Sequence, residues 1–133
     1  MKRGLLLFAH GARDPSWARP FDAVARRVRA LDPATEVELS FLEFMAPSLR
    51  EGGDRLAAAG CTVVDVVPLF LGAGGHVRKD LPELLDALAL AHGGVQWRLH
   101  QAIGEVDSVV DAMAHAALAA SALMPPMDRR EME

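Results

Sequence analysis

The sequence predicts an α/β protein: a single doubly wound domain whose four-stranded parallel sheet has the order 2-1-3-4, with helices on both faces. Three observations carry that expectation. Short apolar runs alternate four times with stretches of helical periodicity, and the connections between them are short. The chain has 133 residues, enough for one buried core and not for two. Right-handed crossovers then leave few ways to wind the strands.

Each element has its own local reason. Leu5 to Ala9 is a continuous apolar run closed by His10-Gly11, as a strand buried on both faces should be. Residues 14 to 31 read as a helix, with Asp14 as N-cap, Pro15 in the first turn, and Phe21, Val24, Ala25, Val28 and Leu31 on one face. Glu36 to Leu42 is the second strand. Ser48 to Ala59 is the second helix, started by Pro47-Ser48 and stopped by Gly60, although Gly52-Gly53 inside it weakens the pattern. Thr62 to Leu69 is the valine-rich third strand. Val77, Leu81, Leu84, Leu85 and Leu88 mark a third helix closed by His92-Gly93, with Asp80 and Pro82 read as its cap and early turn. Val95 to Leu99 is a short fourth strand. Val106, Val109, Val110, Met113 and Ala117 mark the buried face of a fourth helix. The domain occupies residues 1–122; the tail, 123–133, has lost the periodicity and is expected to fray.

Composition excludes several classes. Half the residues are apolar and the formal charge is -4, so no basic stripe is available to neutralise phosphates, and nucleic acid is not an expected partner. The single Cys61 excludes an intramolecular disulfide and a multi-cysteine metal cage; in its apolar surroundings it reads as packing. The N-terminal apolar run stops at Ala9 with no A-x-A site after it, and no stretch approaches the ~20 apolar residues of a membrane span. A cytoplasmic protein with no membrane partner is expected.

In such sheets ligands bind outside the carboxyl ends of the strands, where the strand order reverses. That rule selects His10-Gly11-Ala12-Arg13 after strand 1 and Leu71-Gly72-Ala73-Gly74-Gly75-His76 after strand 3. The glycine run is no phosphate loop. Val77 stands where a dinucleotide fingerprint needs its last glycine, and His76-Val77 follow Gly75 where a P-loop needs Lys-Ser/Thr. Glycine there permits positive φ and close approach of a ligand to the backbone. With strands 1 and 3 adjacent, His10 and His76 converge on one crevice. Neutral imidazole is the commonest transition-metal ligand and a natural base near neutral pH. Two ligands are too few for a closed structural zinc site, so the pair suits a metal held briefly, with positions left for water or substrate.

The remaining polar residues have bland alternatives. Glu43, after strand 2, serves either as a carboxylate for metal or proton, or as a solvated loop acid. Arg13, Arg78 and Lys79 flank the histidines and suit anionic groups, or are plain surface charges. His92 reads as a helix-end residue, His115 as a helix surface residue, and His100 as a minor site candidate one strand further out. Trp17 and Trp97 read as packing residues.

The segments LLLFAHGARDPSW, FLEFMAPSL and VVPLFLGAGGHVRKDLPELL resemble the short form of the CbiX-type sirohydrochlorin chelatases, members of the class II chelatase family that also holds SirB-like ferrochelatases. The resemblance covers residues 3 to about 122. It implies a chelatase-like fold and an enzyme of the lyase type that inserts a divalent metal into sirohydrochlorin, an octacarboxylate tetrapyrrole of cobalamin and siroheme biosynthesis. Cobalt is the first expectation, with iron or nickel as alternatives, and the metal is substrate; no organic cofactor is implied. A metal or tetrapyrrole carrier without turnover is the rival of another class. The resemblance assigns His10 and His76 to the metal, His10 also as proton acceptor, and places Met45 and residues 71–76 against the macrocycle. It also points to a homodimer; the faces of the third and fourth helices beyond the buried stripe, with Ala87, Leu90, Ala116, Ala119 and Ala120, are candidate contacts, or these alanines merely favour helix formation.

Overall fold

Four parallel strands hydrogen-bond in the order β2-β1-β3-β4, as the sequence predicts: β1 (Arg3–Ala9), β2 (Glu36–Phe41), β3 (Val63–Pro68) and β4 (Gln96–Leu99). The computed structural model describes residues 1–72 and 74–123, with His76 described by its backbone alone. The part of the expected frayed tail beyond Leu123, and Ala73 of the glycine run, lie outside the described residues. The helices are α1 (Arg19–Leu31), α2 (Leu49–Ala58), α3 (Gly75–Ala91) and α4 (Asp107–Leu123).

β1 pairs on both edges, and its side chains alternate between two apolar layers. Leu6 and Phe8 join Val64, Val66, Leu56 and Leu88 in the layer under α2 and α3. Leu7 and Ala9 join Val37, Leu39, Phe41 and Ala25 in the layer under α1. Cys61 is buried in the first layer, where desolvation pushes its thiol pKa up and leaves it an inert packing residue. The two glycines that weakened the second helix have a packing reason. A Cβ on Gly52 would stand 2.9 Å from Leu6 Cδ1, and one on Gly53 would stand 2.6 Å from Leu88 Cδ2. Their absence lets α2 lie close to the sheet on one side and to α3 on the other. The helix starts with a complete capping box, in which Ser48 accepts from the Glu51 amide while Glu51 accepts from the Ser48 amide.

Three expectations need correction. The helix at 14–31 is broken: Pro15–Ala18 is a 3-10 turn capped by Asp14, and α1 begins only at Arg19. Pro20 has no N–H to continue the ladder, so the turn closes through the Arg19 amide onto Ser16 instead. Val24 and Leu31 lie off the buried stripe of α1 and are exposed. Helix α3 starts at Gly75 with Gly74 as its cap, so Asp80 and Pro82 stand in its interior. Pro82 forfeits one helical hydrogen bond without stopping the helix.

The third correction is the largest. No residue of α4 is buried, and Val110 and Met113 of its expected core face are 45% and 41% exposed. Its neighbour is the 3-10 turn Ile103–Glu105 rather than the sheet. The sheet face it would have covered carries charge instead. Asp65 on β3 accepts both Arg98 Nε at 2.8 Å and Arg98 Nη2 at 2.9 Å, and lies 2.7 Å from His100 Nε2. An apolar helix gains nothing by packing on such a strip.

That cluster sets an acid limit on stability. The Arg98 guanidinium, aided by His100, lowers the Asp65 pKa from 3.8 to about 2. A carboxylate with a depressed folded-state pKa contributes stability that is complete above its unfolded value and lost as pH falls through the folded one. Asp65→Asn is therefore expected to cost about 2 kcal/mol at neutral pH. In urea melts the difference from wild type should shrink between pH 4 and pH 2.

Candidate active site

At the carboxyl ends of β1 and β3 the chain leaves a pocket of about 480 Å³. The parallel register brings the two strand ends level, and the Leu69 amide bonds to Phe8 O at 2.7 Å, extending the pairing past β3. From there the segment Leu69–Gly72 forms one wall, Trp17 and Phe21 another, and Gly74 and Val77 close it, with His10 at its rim. The walls are apolar and aromatic, interrupted at Gly72 and Gly74 by positions without a side chain. Among the described glycines of the 71–76 run, Gly74 has φ -70, so left-handed geometry is not its reason. A Cβ at Gly72, Gly74 or Gly75 would meet open space. What these glycines provide is room.

His10 is held from two directions. Its ring stands edge-on to Phe70, with centroids 6.2 Å apart, and its Nε2 lies 3.2 Å from Glu43 Oε1. Glu43 reaches it because the chain after β2 is pinned to the chain after β1. The Leu42 amide bonds to Ala9 O at 2.9 Å and the Glu43 amide to His10 O at 3.1 Å. Gly11 has φ +94, and a Cβ there would overlap the Glu43 carbonyl oxygen. That position admits only glycine. Both side chains of the His10–Glu43 pair are half exposed, and His10 lines the pocket. A carboxylate accepts and never donates, so with Glu43 ionised the bond fixes the proton on Nε2 and leaves Nδ1 as the atom able to bind a cation or take a proton.

His76 is the second residue of α3, between Gly74 and Val77, which both line the pocket. It is thus a helix residue rather than the loop residue the sequence suggested. The helix begins with no side-chain cap and no acidic residue in its first turn, so its free amides belong to the same end of the sheet.

Other residues singled out in the sequence fall elsewhere. Arg78 lies outside the His10 pocket. Its Nη2 donates to Glu105 at 3.4 Å, and with His100 it lines a separate hollow of about 170 Å³. His100 itself belongs to the Asp65 cluster. His92 caps α3 and sits 2.6 Å from Asp54, and His115 bonds the Asp111 carbonyl within α4. Met45 packs into the layer beneath α1, and Leu71 is exposed at the pocket wall. Arg13 stands with its guanidinium 5.0 Å from the Phe44 ring centre. Trp97 packs against the core, as read. Trp17 also packs, with Phe21 4.6 Å away, yet it faces the pocket as well. Its place just after the turn that follows β1 was the signal that a wall residue would stand there.

Gly11→Ala tests the link between the two loops. It is expected to lower stability by about 2 kcal/mol through positive-φ strain and the clash with Glu43. It should also move Glu43 away from His10, read as loss of the hydrogen-bonded imidazole Nε2–H signal of His10 in NMR spectra.

Residues 4–120 match the family model described as CbiX. The sirohydrochlorin cobaltochelatase of Sulfurisphaera tokodaii is 30% identical over 110 residues, 83% of this chain and 87% of that protein. The sirohydrochlorin ferrochelatase of Bacillus subtilis is 30% identical over 86% of this chain, which spans only 44% of that longer protein. Among solved structures, the CbiX protein of Marinobacter aquaeolei superposes with a TM-score of 0.80 at 30% identity, covering 92% of this chain and 99% of that one. The sirohydrochlorin chelatase SirB of Bacillus subtilis subspecies spizizenii, solved in complex with cobalt, gives 0.78 at 28% identity, covering 90% of this chain and 51% of the other. The chain belongs to the CbiX family.

Proposed function

We propose that this protein is a chelatase that inserts a divalent metal, cobalt first among iron and nickel, into sirohydrochlorin. The observation that carries the reading is the combination of an apolar pocket wall that Gly72 and Gly74 leave open with a histidine–carboxylate pair at the pocket rim. A planar macrocycle needs a smooth surface and apolar flanks, which Gly72, Gly74, Trp17, Phe21 and Phe70 supply. Metal insertion releases two pyrrole N–H protons as the ion enters the ring, so a base must stand beside the metal. His10 takes that part. Nδ1 meets the metal or the departing proton, and Glu43 holds the ring and stabilises the imidazolium formed. His76, in the first turn of α3, is the second metal ligand in this reading. Two imidazoles leave the metal under-coordinated, so it can pass to four ring nitrogens.

The working unit in this reading is a cytoplasmic homodimer. The support is α4, an alanine-rich helix without a buried residue, with Leu118 70% exposed. Most helical stability in proteins comes from packing of an apolar face, so the helix needs a surface to lie on. A second copy provides one by two-fold repetition of the same patch. Leu90 on α3, 90% exposed, extends the apolar area of the contact.

Two outcomes test the reading. Mixing the protein with sirohydrochlorin and Co²⁺, Fe²⁺ or Ni²⁺ in turn should give the absorbance change of metallation, fastest with Co²⁺. His10→Ala and His76→Ala should each slow it by about a hundredfold or more with unchanged circular dichroism. Rates near wild type in either variant remove that histidine from the site. For the assembly, light scattering should give a dimer that Met113→Glu with Leu118→Glu converts to monomer.

A further inference from the structure

The segment after Glu43 carries backbone strain that its packing does not require. The Met45 amide bonds to the Glu43 carbonyl at 2.8 Å, two residues back, and the residue between them, Phe44, has φ 67. An i to i+2 hydrogen bond across a positive-φ residue is the classic γ-turn, the rare and strained form. Glycine or asparagine would sit there at much lower cost, and phenylalanine is among the poorest choices. Nor does the ring pay the strain back by burial, since it is 58% exposed. Strain of this kind persists where the surroundings hold it and the held group has a use.

The structure shows what the ring holds. The Arg13 guanidinium lies 5.0 Å from its centre, within cation–π range, and no salt bridge to a carboxylate is recorded for Arg13 among the described residues. Both members adjoin the site: Arg13 follows His10-Gly11-Ala12, and Phe44 follows the carboxylate bonded to His10. Stacking on a ring immobilises the planar guanidinium and leaves its edge N–H groups free, the geometry that receives a carboxylate through two hydrogen bonds.

We propose that Arg13 binds a peripheral carboxylate of the tetrapyrrole beside the metal-insertion site, and that Phe44 is the positioning residue that holds its guanidinium there. This rests on the tetrapyrrole reading above. The γ-turn fixes the ring at the required place, and the same turn aims Glu43 at His10. One strained residue thus orients both the proton-handling pair and the anion anchor.

The test is a double-mutant cycle on the full chain, read in Tm and in the KM and kcat of sirohydrochlorin metallation. Phe44→Gly relieves the turn, so Tm should rise, while KM rises about tenfold because one charge-assisted contact is lost. Arg13→Gln should raise KM by a similar factor, and the double variant no further. Phe44→Tyr, which keeps the ring face, should restore KM, whereas Phe44→Leu, which keeps only bulk, should not. An unchanged KM in Phe44→Gly, multiplicative effects in the double variant, or recovery by Phe44→Leu overturns the positioning role. Wild-type protein that neither binds nor metallates sirohydrochlorin overturns the tetrapyrrole reading itself, and the carboxylate contact with it.

Discussion

β1 is hydrogen-bonded along both edges, to β2 on one side and β3 on the other, and buried on both faces. Every part of the site hangs from that strand. Its end delivers His10; its neighbour β3 ends level with it and delivers the Leu69–Gly72 wall; its other neighbour β2 ends beside it and delivers Glu43. The extension of the ladder past the strands, Leu42 to Ala9 and Leu69 to Phe8, keeps all three exits in register. A parallel sheet with its reversal at β1 places one opening between diverging connections, and that opening is the pocket. The geometry of the candidate site is inherited from main-chain pairing, and the side chains refine it.

The layered core explains why this frame is stiff enough for the task. Leu6, Phe8, Val64 and Val66 are fully excluded from solvent, and Ser40, the one buried polar residue among those described, bonds to Leu7 O at 3.2 Å. The close approach of α2 through Gly52 and Gly53 ties β1 and β2 to α3, whose first turn carries His76. A displacement of α3 would carry His76 with it, so the packing at Leu88 is part of the positioning of a residue more than two helical turns away.

Much of this was legible in the sequence, because strand order in a βα repeat follows from handedness and run length. His10 and the glycine run were legible because the switch-point rule depends only on strand ends. The His10–Glu43 bond was not. It rests on the tight turn through Phe44 and on the positive φ of Gly11, and neither leaves a hydrophobic period to read. The start of α3 was missed by several residues because Asp80 and Pro82 imitate a helix start, whereas the true cap is a glycine with no side chain to announce it. Helix α4 was misjudged for a different reason. Its periodicity is real, but periodicity reports only that a face is apolar, not which surface covers it, and here the adjoining sheet strip holds Asp65 and Arg98. Arg78 flanks His76 in sequence yet points to Glu105, since neighbours on a helix diverge around its axis.

The glycine wall gives the binding surface an uneven relation to mutation. At Gly72, Gly74 and Gly75 every substitution adds atoms where the chain now offers amide planes and empty space, and none can remove any. Such a surface can be narrowed by drift but not widened, and it holds no functional groups to exchange for others. In the proposed chelatase reading, these positions constrain the shape of the ligand and leave the choice of ion to residues that carry side chains. If the pair of histidines holds the metal as proposed, divergence in metal preference has to arise at His10 and His76 and at Glu43 beside His10, where side chains exist for selection to change.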